Sequence, residues 1–174
     1  MPGLERGTVE LVAHDPDWQR EYAAEVERLE ALVGERVIAF EHVGSTAIEG
    51  LAAKPIIDML AVVDDLAAAT DLVSVLESHG YEHRPNDDVP GRLFLAKGSR
   101  ANRTHYLSIV ERESDRYTDQ IAFRDYLRSH PEVVATYEKL KRRLAAEYPD
   151  DRASYTDAKA SFVQRVLERA TDRE

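Results

Sequence analysis

The chain has 174 residues, no cysteine, 43% hydrophobic residues and a formal net charge of −10. That length suits one domain over residues 1–174 with a core of its own. The lack of thiols excludes disulfide frameworks, Cys-type zinc sites and thiol nucleophiles. No apolar run approaches the ~20 residues that span a bilayer, and no basic-then-apolar leader opens the chain. The expectation is a soluble cytoplasmic domain with no membrane partner, and the acidic balance weighs against extended nucleic acid.

In chain order, Thr8–Val12 is expected as a short strand. Asp15 and Pro16 read as an N-cap and a first-turn proline. Trp18, Tyr22, Val26, Leu29 and Leu32 then recur at helical spacing until Gly34. Val37–Val43 reads as a strand ending in the small-residue turn Gly44-Ser45-Thr46. After Lys54-Pro55, Ile56–Val63 is a near-continuous apolar run, typical of a buried central strand. Asp64 or Asp65 caps a helix with Leu66, Leu72, Val73 and Leu76 inward, and Gly80 closes it. Pro85–Gly91 is a loop. Arg92–Ala96 and Thr104–Val110 form a hairpin about Gly98, Ser99 and Asn102. The rest is helical. Ser114 caps Asp115–Ser129, Pro131 opens a helix with Val133, Val134, Tyr137, Leu140 and Leu144 inward, and a last helix from about Asp151 carries Tyr155, Phe162, Val163, Val166 and Leu167. The expected class is α+β, a small mixed β-sheet flanked by helices with a helical C-terminal third.

One residue breaks the apolar pattern. Asp58 lies inside Ile56–Val63, where a carboxylate costs several kcal/mol unless it is paired, hydrogen-bonded or bound to metal. It is either a satisfied buried acid or a metal-binding or general-base carboxylate. Gly44-Ser45 precedes it, and there glycine lets a phosphate approach the backbone and serine offers a hydroxyl. A strand, Gly-Ser, a short connection and a strand with an inward Asp resembles the nucleotidyltransferase superfamily that includes polymerase β. In that superfamily a second acid follows two residues on, so that both carboxylates share a strand face and clamp divalent metal. Here that position is Leu60, and half of the clamp is missing. Glu41 on the neighbouring strand is the candidate replacement, the alternative being a sheet-edge acid.

Longer stretches resemble the GrpB family of small bacterial proteins. They are Val9-Glu10-Leu11, His14-Asp15-Pro16-Asp17-Trp18, Glu41-His42-Val43-Gly44-Ser45-Thr46, Gly50-Leu51-Ala52-Ala53-Lys54-Pro55-Ile56-Ile57-Asp58 and Thr104-His105-Tyr106-Leu107. Further on, Phe123-Arg124-Asp125-Tyr126-Leu127-Arg128, His130-Pro131 and Tyr155-Thr156-Asp157-Ala158-Lys159 with Phe162 continue it. The resemblance covers nearly the whole chain and implies a nucleotidyltransferase-like fold. It singles out Glu41, His42, Gly44, Ser45, Lys54, Pro55, Asp58 and His105.

The expected site follows. Asp58, with Glu41 or His105, serves catalysis, and Asp58 with Glu41 holds magnesium. Gly44, Ser45, Thr46 and Lys54 receive phosphate. Arg124 and Arg128, one turn apart, form a fork for phosphate, and Tyr155 and Lys159 supply a stacking ring and a cation. For His42 and His105 the alternative is a satisfied core histidine; for the arginines it is exposed salt bridges. Val89–Val110 carries Arg92, Lys97, Arg100 and Arg103 and no acid, so this hairpin is expected to face the same cleft. Two functions stay open. One is a nucleotidyltransferase acting on a nucleotide and a small acceptor. The other is a non-catalytic module binding a nucleotide or another phosphorylated small molecule.

Overall fold

The computed structural model describes residues 3–5 and 8–171. Five helices and five strands run in the order α1 (Asp17–Val33), β1 (Ala39–Val43), β2 (Ile57–Val63), α2 (Thr70–Glu77), β3 (Tyr81–His83), β4 (Arg92–Lys97), β5 (His105–Glu111), α3 (Asp115–Ser129), α4 (Pro131–Glu147) and α5 (Arg152–Thr171). The strands form one sheet in the order β1-β2-β5-β4-β3. β2 and β5 are parallel and the other pairs antiparallel. The sheet is mixed, helices flank it, and the last third is helical, as the hydrophobic periodicity implies.

Alternation along β2 sorts its residues onto two faces. Ile57, Met59, Ala61 and Val63 join Leu107, Ile109 and Leu95 in a core closed by Trp18 and Leu29 of α1 and Leu72 and Leu76 of α2. Leu60 and Val62 face the other way, packing with Val43, Val110 and α3 through Tyr117 and Ile121. α3, α4 and α5 pack together over Tyr126, Tyr137, Phe162 and Val166, with Ile48 and Leu51 beneath them. Asp58 belongs to the second face, at the end of β2 where the helical layer lifts off the sheet.

Two local expectations change. Thr8–Val12 makes no strand. Val12 forms a single bridge to Ala53, while Val9 N–H turns away to Pro149 O at 2.8 Å. Anchored at its two ends by different parts of the chain, the segment has no continuous edge to pair with. The second helix begins later than Asp64 or Asp65 implies. Asp65 accepts from Ala67 N–H at 3.0 Å, but this caps a 3-10 turn over Ala67–Ala69 that leads into α2. Ser114 caps α3 as expected, accepting from Tyr117 N–H at 3.2 Å.

The first face is pinned by a buried carboxylate. Glu25 of α1 is 4% exposed, and it accepts from Lys97 Nζ at 2.8 Å and from the Tyr81 hydroxyl at 2.5 Å. Burial opposes its ionisation, but these two hydrogen bonds outweigh it and hold its pKa below the usual range. Glu25→Ala leaves Lys97 and Tyr81 without their acceptor. The expected loss is about 3 kcal/mol or more in urea unfolding; a change within about 0.5 kcal/mol would show that the ion pair does not fasten α1 to the sheet.

Candidate functional site

The space between the second face of the sheet and α3–α5 is a cavity of about 790 Å³. Asp58 and Leu60 of β2, Gly44 and Ser45, Arg92 and Phe94 of β4, and Tyr106 of β5 line its sheet side, and Lys54 lies at its edge. Lys141 of α4 and Arg152, Thr156 and Lys159 of α5 line the helical side.

Asp58 is the only acid from the sheet in this lining. Among the described residues it makes no hydrogen bond or salt bridge. Desolvation raises its pKa, against the pull of Lys54, Lys159, Lys141 and Arg152. These cations also press on one another. Burial, then Lys159, lowers Lys54 to about 7, although Asp58 pulls the other way. Burial, with Lys159 and Lys54, pushes Lys141 well below the usual lysine range. Around Asp58 the basic groups outnumber the acid, although Asp115 and Asp119 of α3 also line the cavity, and a dianionic group would relieve the mutual repulsion of the basic side chains.

The turn before β2 is built around Asp58. Gly44 has φ +72°, and a Cβ there would lie 2.5 Å from Asp58 Oδ2. Only glycine admits both the left-handed backbone and the carboxylate. Ser45 then opens a 3-10 turn, and its Oγ lies 2.6 Å from Lys141 Nζ. Lys141 is 2% exposed and also donates to Ala52 O at 2.8 Å. It thus joins the Gly44-Ser45 turn to the segment leading into β2.

The expected site residues divide between this cavity and its scaffold. Gly44, Ser45, Lys54, Asp58 and Lys159 line the cavity. Thr46 lines it as well, but is buried with Oγ1 2.9 Å from His42 Nε2. His42 stacks on Tyr22 with centroids 4.6 Å apart, and burial lowers its pKa to about 3; it is a core histidine held through Nε2, with its buried Nδ1 unpartnered. Tyr155 is 0% exposed. It packs with Val9 and Leu144, and its ring is flanked by Lys54 Nζ at 5.5 Å and Lys159 Nζ at 5.0 Å. So Tyr155 offers no free face for a base; it spaces two cations instead.

Glu41 and His105 do not join Asp58. Glu41 shares the Asp58 face but is drawn to Arg124, whose Nη1 donates to its Oε2 at 2.6 Å. Arg124 also donates to His42 O at 3.2 Å, and Arg128 donates to Ala47 O at 3.0 Å. The arginine fork therefore grips the backbone on either side of the Gly44-Ser45 turn rather than pointing into the cavity. His105 pairs with Ile57, so it lies on the opposite face, while Tyr106 pairs with Asp58. His105 Nδ1 is 2.8 Å from Thr104 Oγ1, and burial lowers its pKa to about 4. The cationic hairpin splits in the same way. Arg92 lines the cavity, but Lys97 turns to Glu25, and Arg103 is 1% exposed, bonded to Glu82 and Gly98 O.

Lys141, Arg152 and Tyr106 were not among the expected residues. Lys141 carries a signal in the sequence: it follows Tyr137 by four residues and precedes Leu144 by three, a charge on the inward stripe of α4. Arg152 donates to the Tyr106 hydroxyl at 3.1 Å, a contact between distant segments that no local pattern announces.

Magnesium is the expectation from the sequence, and the donor set does not fit a divalent clamp. Leu60 occupies the second position, Glu41 is held by Arg124, and cations surround Asp58. Among the described residues no group of three or more His, Asp or Glu could hold a metal ion. No described helix is long and apolar enough to cross a membrane.

This architecture is nucleotidyltransferase-like. The Cid1 poly(U) polymerase bound to MgATP superposes with a TM-score of 0.53 over 78% of this chain and 44% of that one, at 14% identity, which is a likeness of fold. Within that class the chain belongs to the GrpB family, whose model, described as GrpB protein, matches residues 8–169. The glutamate-rich protein GrpB of Alkalihalophilus pseudofirmus is 39% identical over 171 residues, covering 96% of this chain and 98% of the relative. The crystal structure of conserved protein GrpB from Enterococcus faecalis matches with a TM-score of 0.86 and 32% identity, covering 94% and 98% of the two chains. Other relatives are longer, and the chain spans about half of some of them.

Because Gly44 and Asp58 share one space, Gly44→Ala should cost about 1–3 kcal/mol in denaturant unfolding through the positive φ alone and should displace the carboxylate. A variant as stable as the parent would show that the turn relaxes without engaging Asp58.

Proposed function

We propose that this chain binds a nucleotide or another phosphorylated small molecule in the cavity beside Asp58, with its phosphates against Lys54, Lys159 and Arg152. The observation that carries this reading is the cluster of basic side chains around Asp58, with Lys141 buried and Lys54, Lys159 and Arg152 half-buried, lining a cavity large enough for a nucleotide. Phosphate oxygens would meet the surplus charge and release the mutual repulsion of the lysines. Tyr106 and Phe94, with ring centroids 5.2 Å apart and planes tilted by 49°, offer an aromatic surface on the sheet side, and Arg152 reaches across from α5 to the Tyr106 hydroxyl at 3.1 Å. Net charge −10 is no obstacle, since Lys54, Lys141, Lys159 and Arg152 meet in one small site.

Binding should carry a pH signature. Lys54 titrates at about 7 with Lys159, Asp58 and Arg152 facing it. It is charged below that pH, so affinity for a triphosphate should be strongest there and fall as pH rises through it. Binding should also take up a proton. Calorimetry with nucleoside triphosphates, with magnesium and with chelator, measures this. We expect binding in both conditions, a fall of about tenfold from pH 6 to pH 8.5, and a flatter profile in Lys54→Arg. No binding under any condition would refute the reading.

The Gly44-Ser45 turn beside Asp58 on a nucleotidyltransferase-like fold favours a second reading, transfer of a nucleotidyl group to a small acceptor. On that reading Asp58→Asn abolishes turnover while leaving nucleotide affinity equal or higher, because one repelling carboxylate is gone. Radiolabelled nucleotide consumption by the parent and the variant tells the two apart, and equal consumption by both removes Asp58 from the chemistry.

A further inference from the structure

We propose that Ser45 and Lys141 form a serine–lysine dyad, in which Ser45 Oγ attacks the phosphorus of a phosphoanhydride while Lys141 Nζ takes its proton. This goes beyond ligand binding, since it makes Ser45 a nucleophile rather than a hydrogen-bond partner of phosphate. Three observations converge on it. Ser45 Oγ and Lys141 Nζ are 2.6 Å apart at the wall of the cavity. Lys141 is 2% exposed and, among the described residues, has no carboxylate within salt-bridge distance. Its second contact, with Ala52 O at 2.8 Å, accepts one N–H.

A neutral amine satisfies this geometry. As an ammonium, Lys141 Nζ donates to both Ser45 Oγ and Ala52 O; as the neutral amine it keeps an N–H on Ala52 O and turns its lone pair to the Ser45 hydroxyl proton. A buried ammonium with no counter-ion is costly. The groups facing Lys141 are Lys159 of α5, Lys54 before β2, Asp58 of β2, and Glu138 and the Tyr137 ring of α4, the ring centroid 5.1 Å from Nζ, and burial with the two lysines outweighs the two acids in lowering its pKa. Glu138 is itself engaged by Ala52 N–H at 2.8 Å. An amine kept in its uncharged form beside a hydroxyl is free to take its proton, the arrangement by which a serine is activated.

The step balances without a further reactant. The Oγ–P bond forms, and the phosphoanhydride P–O bond breaks. Its electron pair leaves with the departing phosphate or diphosphate, whose charge Lys54, Lys159 and Arg152 meet. The serine proton stays on Lys141 Nζ, now an ammonium, and the product is a phosphoester on Ser45.

The test uses the full chain and an alkyl fluorophosphonate, a phosphorus electrophile whose leaving group is fluoride. Intact mass and peptide mapping locate the adduct between pH 6 and pH 10. We expect one adduct, on Ser45, with a rate that rises with pH and levels off below the range of an ordinary lysine. Ser45→Ala should abolish it, and Lys141→Met should slow it by about 100-fold or more. Because Lys141 also ties two segments together, Lys141→Cys alkylated with 2-bromoethylamine supplies a control. The chain has no other cysteine, and the restored amine should restore labelling. A parent chain left unlabelled at Ser45, or labelled there no faster than at its other serines, overturns the proposal whatever the variants do. So does an unchanged rate in a folded Lys141→Met. Calorimetry on the same preparations reads nucleotide binding separately, so the dyad and the binding reading fail independently.

Discussion

A carboxylate on an inner strand of a sheet must be compensated, and the constellation around Asp58 meets that demand. Lys54, Lys141, Lys159 and Arg152 come from three parts of the chain and approach one acid. The compensation overshoots. Two of the lysines are pushed towards neutrality by burial and by each other, and a site with more cation than anion is built to receive anion.

The rest of the fold keeps this cluster in place. Gly44 exists in its conformation because Asp58 leaves no room for a Cβ. Arg124 and Arg128 hold the carbonyls of His42 and Ala47 on either side of the turn, and Lys141 holds the far end through Ala52. On the other face of the sheet, Glu25, Tyr81 and Lys97 fasten α1 across β4. The two faces thus divide the labour. One is a sealed apolar core with a single ionic clasp, and the other opens into a polar cavity.

Much of this was legible in the sequence, and the misses have physical causes. Five long helical stripes and strands announce themselves by period, and Asp58 stands out because it violates one. His105 is on the strand beside β2, but strand phase turns on one residue, and the parallel register sets Tyr106, not His105, beside Asp58. Glu41 lies on the right face, but an arginine 83 positions away claims it, and such long-range pairing leaves no local trace. Tyr155 matched a family motif without revealing whether it faced solvent or core. Lys141 was readable as a charge on an inward stripe, and its meaning depends on Ser45, which only the fold brings to it.

The most direct test of the account is a crystal structure of the chain with a non-hydrolysable nucleoside triphosphate. The account predicts phosphate oxygens within hydrogen-bond distance of Lys54, Lys159 and Arg152, beside Asp58 and Ser45. Phosphates bound elsewhere, with the cluster of cations left uncontacted, would contradict it.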